Sequence, residues 1–122
     1  MSAETHELFT GYPVDRLALL PKEQQRAIIK LASVSEDFDR AAKVEKNKET
    51  VKEYDSFGAR IDAAALIAIG NTAEAEKMVL ELQSDFNARA EALKLTNKKV
   101  SDAYIKRAAW MNEIVKILQT KI

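Results

Sequence analysis

A helix stop touches a helix start in the middle of this chain, and that junction constrains the fold more than any other feature. Ala59 to Glu76 reads ARIDAAALIAIGNTAEAE. Gly70 is the residue type that tolerates the left-handed conformation after a last helical turn. Asn71 follows, with Glu74 three places on, the N-cap and N3 spacing of a capping box. A stop abutting a start predicts a tight αα-hairpin.

Helical periodicity runs away from this turn in both directions. Upstream, Ile28, Leu31, Val34, Phe38, Ala41 and Val44 recur at helical spacing, then Val51, Tyr54, Phe57, Ile61, Ala65 and Ala68. Downstream, Val79, Leu82, Phe86, Ala90, Leu93, Asn97, Val100, Tyr104, Ala108, Met111, Val115, Leu118 and Ile122 step by three or four throughout. With Gly at 3 and Pro at 2, the chain lacks the turn residues an all-β fold needs. Upstream, Ser33 with Glu36, Thr50 with Glu53, and Gly58 are weak interruptions. Downstream, only Thr96-Asn97 could hide a turn, and the phase does not slip there.

The expected fold is therefore all-α, with long helices at about 22–69 and 72–121 and the main turn at Gly70-Asn71. Pro13 opens a short apolar helix, 14–20, and Pro21 ends it. Residues 1–122 form a single helical domain, with 1–21 packing on the bundle. When the chain is folded at Gly70-Asn71, residues equidistant from the turn face each other. Phe38 then meets Tyr104, Leu31 meets Met111, and Tyr54 and Phe57 flank Phe86.

Length creates a conflict. A helix over 22–69 spans about 72 Å, whereas a compact chain of this size has a radius of gyration of about 14 Å. Two resolutions stay open. The elongated hairpin is completed by another chain, or both helices break near Asn47 and Asn97 and double back into a compact four-helix bundle. The elongated form is the first expectation.

Charge is polarised along the hairpin although the formal total is zero. The waist, 43–52 plus 89–99, has eight Lys/Arg against three acids, net +5. Its lysines are Lys43, Lys46, Lys48, Lys52, Lys94, Lys98 and Lys99. The tip, 53–88, has two basic and seven acidic residues, net −5. A tip docking on a neighbour's waist would be steered by these charges and weakened by salt. Nucleic acid is a disfavoured partner, because Glu45, Glu49 and Glu91 interleave with the lysines and no aromatic stacking platform accompanies them.

Residues that carry chemistry are scarce. Cys is absent and His6 is the sole histidine, so HExxH and the Glu-x-x-His pairs of di-iron bundles cannot form. Gly11, Gly58 and Gly70 are isolated and build no phosphate loop. Glu36, Asp37 and Asp39 read as a solvated acidic face, and Ser33, Ser35, Ser56, Ser84 and Ser101 as caps or surface residues. No catalytic, metal or cofactor residue is assigned. MSAETHELFT lacks the apolar stretch of a signal peptide, and the longest apolar run, 63–69, is far short of a membrane span.

The expectation for function is a non-catalytic helical interaction or structural protein. It self-assembles as a homo-oligomer or packs on a protein partner, as a scaffold, adaptor, inhibitor or virion-type subunit, in a cytoplasmic or virion-associated setting. The alternatives are a compact bundle acting as a small regulator or apolar-ligand binder, and a weak nucleic-acid binder working through the waist. Candidate interface residues are Leu31, Phe38, Asn97, Tyr104, Trp110 and Met111. Asn97 reads either as a buried polar layer fixing register or as a helix cap. Trp110 reads as core covering Leu17 and Leu20, or as an exposed anchor.

Overall fold

The computed structural model describes residues 18–119. Within them the chain forms α1 (Lys22–Val44), α2 (Lys48–Gly70), α3 (Thr72–Leu93) and α4 (Lys98–Gln119). They pack as a closed ring in chain order, α1 on α2, α2 on α3, α3 on α4, and α4 back on α1. The protein is thus an all-α, up-down-up-down four-helix bundle. The helices are 23, 23, 22 and 22 residues long, about 34 Å each, so they match in height. The short helix expected at 14–20, its packing on the bundle and His6 fall largely or wholly outside the described residues. Of that segment, Leu19 is exposed and Leu20 packs against the core.

Of the two arrangements left open, the chain adopts the compact four-helix bundle with breaks near Asn47 and Asn97, and not the unbroken elongated hairpin. Both long helices break, and at the same height. After Val44 the apolar recurrence lapses until Val51, leaving Glu45-Lys46-Asn47 with no core face to present. Glu45 turns extended (φ −79°, ψ 134°), and Asn47 begins α2 by accepting hydrogen bonds from the amides of Glu49 (2.9 Å) and Thr50 (3.1 Å). Thr50 is therefore inside the first turn of α2, not its cap. Ser33 interrupts nothing; its hydroxyl donates to Ile29 O within α1 (2.9 Å). On the other side α3 ends at Leu93, and Asn97 caps α4 by accepting from Val100 N at 3.3 Å.

At the central turn Gly70 is still helical, rather than left-handed as its type suggests. Asn71, extended at φ −150°, makes the reversal and accepts from Glu74 N at 3.1 Å. The hairpin and its cap lie where the sequence places them, but the asparagine does the turning.

Doubling back does not disturb the facing pairs. Phe38 and Tyr104 lie 6.3 Å apart between ring centroids, and Phe57 and Phe86 lie 4.9 Å apart edge to face. With Tyr54 they form one aromatic cluster in which Phe38 touches the other four rings. From this cluster toward the Gly70-Asn71 end sit Ile28, Leu31, Ile61, Leu82, Met111 and Ile114, none more than 1% exposed. One chain therefore covers both apolar stripes with its own halves.

Polar ties cross every helix–helix junction. Ser35 Oγ donates to Gly58 O (3.3 Å) between α1 and α2, and Ser101 Oγ to Ala90 O (2.6 Å) between α4 and α3. Arg60 pairs with Asp85 (2.7 Å) across α2 and α3, and Lys30 with Glu113 (3.4 Å) across α1 and α4. Gly58, whose carbonyl accepts from Ser35, sits inside α2 without breaking it.

Candidate interaction surface at the loop end

Folding over converts the expected waist into an end. The α1–α2 loop, 45–47, and the α3–α4 loop, 94–97, lie side by side. Glu45, Asn47, Thr50, Glu53, Arg89, Leu93, Asn97 and Val100 line one pocket of about 240 Å³ between them. The Glu45 carboxylate accepts from the amides of Lys46 and Asn47, both at 3.0 Å, and so stiffens its own loop. In the other loop the Leu93 carbonyl accepts from Thr96 N (3.1 Å) and Asn97 N (2.7 Å). Below the loops the Glu53 carboxylate grips Arg89 through Nε and through Nη2, the latter at 3.2 Å. This bidentate bond holds the Arg89 guanidinium above its ordinary pKa.

Lys43, Lys46, Lys48, Lys52, Lys94, Lys98 and Lys99 are all exposed at this end. Two are neutralised locally, Lys52 by Glu49 at 4.0 Å and Lys94 by Glu91 at 2.6 Å. Lys43 shares its field with Asp39. Lys46, Lys48, Lys98 and Lys99 make no ion pair among the described residues. Between them stand two aliphatic side chains in solvent, Val44 at 80% and Leu95 at 92% exposure. Each loop, together with the helix ends it joins, thus presents one bare aliphatic group and two lysines without an ion pair among the described residues.

The remaining candidates are placed otherwise. Leu31, Phe38, Tyr104 and Met111 are fully buried in the chain's own core and offer no surface in this conformation. Asn97 is exposed and acts as a cap, so the buried-layer reading gives way to the alternative. Trp110 is half-buried against the core, with Lys106 Nζ 5.6 Å from its ring centroid, and borders a shallow groove with Lys30, Ser33 and Val34. Ser35 and Ser101 are buried hydrogen-bond donors rather than caps or surface residues. The 63–69 run packs Ala64, Ala65, Ala68 and Ile69 inside and leaves Leu66 46% exposed.

Two features escaped the sequence reading. Val44 sits on the periodic stripe, but its helix ends there and no partner helix covers it. Leu95 falls midway between Leu93 and Asn97, off the stripe, and that spacing could have marked it as outward-facing. The second feature is Arg107, 6% exposed, with its guanidinium 4.2 Å from the Phe38 ring centroid and paired to Asp37 at 3.1 Å. It lies three residues after Tyr104 and four before Met111, a core spacing for a charged residue.

Among the described residues no group of three His, Cys, Asp or Glu is disposed to hold a metal ion, and no helix is long and apolar enough to cross a membrane. Comparison with known protein families, curated proteins and solved structures returns no match.

Proposed function

We propose that the protein is a non-catalytic interaction module that docks, loop end first, onto an acidic surface. One observation carries this reading. Two loops from opposite halves of the chain, with the helix ends they join, bring Lys46, Lys48, Lys98 and Lys99, none ion-paired among the described residues, to one end with Val44 and Leu95. Unpaired like charges on one end are self-repulsive, and an acidic surface relieves that cost while steering approach. The apolar stripes that motivated assembly by core completion are already buried, so docking falls to this end.

The test is fluorescence titration of labelled polyglutamate with the full chain in 50 mM and 300 mM salt. Binding is expected at low salt, weakening at high salt, and lost in the K46Q/K48Q/K98Q/K99Q variant. A K22Q/K77Q control removes two lysines elsewhere and is expected to bind normally. Absence of binding at low salt, or equal loss in the control, overturns the reading.

A second copy is one acidic partner of this kind. The α2–α3 hairpin carries Glu74 and Glu81 together with Leu66 and Leu80, 46% and 45% exposed. This self-docking form requires a mass that rises with concentration at low salt and returns to monomer at high salt.

A further inference from the structure

The geometry points to an anionic lipid bilayer as the surface on which the loop end docks, with Val44 and Leu95 entering the headgroup region and the four unpaired lysines lying at its plane. This inference rests on the reading that the end meets an acidic surface, and it names that surface.

The side-chain types at this end choose between occupants. Protein interfaces are enriched in aromatic residues and arginine and depleted in lysine. Residues 43–50 and 94–100 contain three lysines each, and no aromatic residue and no arginine occurs in either stretch. Arg89 is already held by Glu53, and Tyr54 and Tyr104 are buried. Nucleic-acid sites add stacking platforms and bidentate arginines to their charge, and this end has neither. A bilayer asks for less. Point charges on flexible stems suit a diffuse anionic plane, and bare aliphatic groups gain by leaving water. Both are present, and both loops present them at the same height.

The arrangement also sets an orientation. The bundle stands on its loop end with the helix axes steep to the membrane. Trp110, the only tryptophan, lies roughly 18 Å along α4 from Lys98. Interfacial segments sink about 5–10 Å, so Trp110 stays in water.

The experiment is co-sedimentation of the full chain with phosphatidylcholine vesicles, with and without 30% phosphatidylserine, at 50 mM and 500 mM salt. Trp110 emission is read in parallel. Binding is expected only with phosphatidylserine and only at low salt. Each lysine replaced by glutamine weakens partition by roughly fivefold, and V44S/L95S weakens it by roughly tenfold. All substituted positions are exposed, and circular dichroism confirms that the variants stay folded. Trp110 emission is expected not to shift.

Failure separates cleanly from failure of the parent reading. Polyglutamate binding without vesicle binding overturns the lipid inference and leaves end-on docking intact, whereas loss of both removes both. Tighter binding to duplex DNA than to the vesicles assigns the end to nucleic acid and overturns the inference. Wild-type partition in V44S/L95S, or a blue shift of Trp110, contradicts insertion of the loop end.

Discussion

Tyr104 carries a hydroxyl into the centre of the aromatic cluster. It lies near Glu53 and Arg89 but makes no hydrogen bond of normal geometry with either. Burial, and secondarily the Glu53 charge, holds its pKa far above the ordinary tyrosine value; burial does the same more weakly to Tyr54, opposed by Arg107. The sign of the linkage follows. Both folded pKa values are raised, so the native state keeps protons the unfolded chain releases. Their contribution to stability is complete below pH about 10 and is lost as pH climbs above it. Denaturant melts at pH 8 and pH 11 are expected to show that loss, and Tyr104→Phe to reduce it. At pH 8 the same variant removes a buried polar group without a partner, so its stability is expected to equal or exceed wild type by up to about 1 kcal/mol. The caps are residue-scale features too. Asn47→Ala is expected to cost about 1 kcal/mol in the same melts, because two amides at the start of α2 lose their acceptor.

At the scale of elements, α2 contains a glycine that its neighbour does not strictly require. A methyl built on Gly58 would lie 3.8 Å from Ser35 Oγ and 3.9 Å from Phe38 Cβ and Asp39 Oδ1, ordinary contact distances. Gly58→Ala is expected to stabilise by about 0.5–1 kcal/mol through helix propensity, read as a rise in melting midpoint. A loss would mean that α1 and α2 pack more tightly than these distances. The faces of all four helices were legible in the sequence: Leu31, Phe38, Ile61, Phe86, Tyr104 and Met111 were marked by spacing alone, and all are buried. The reversals at Asn47 and Asn97 were not decided. A stripe whose phase continues through a loop, as it does from Leu93 through Asn97 to Val100, is the same whether the helix runs on or turns back. Local chemistry broke the tie: asparagine is a better cap than helix interior. The lysines of the loop end were legible as a cluster along a rod, but their gathering at an end, with Val44 and Leu95 beside them, depends on those two turns.

For the whole molecule, everything proposed about the loop end depends on the chain doubling back twice and closing its own core. In the bundle Gln119 Nε2 donates to Glu76 at 2.9 Å, so the end of α4 meets the start of α3, and α1 begins at that same end. The absence of cysteine makes a clean pair of spin labels available at partly exposed position 23 and exposed position 74. The most direct measurement is the electron–electron dipolar distance in E23C/E74C, diluted with unlabelled protein so that only distances within one chain are read. Bundle axes separated by about 8–10 Å between neighbours place the two labels within roughly 30 Å of each other. A distance near 70 Å, the length of an unbroken hairpin, would contradict the folded-over bundle and with it the loop end as a surface.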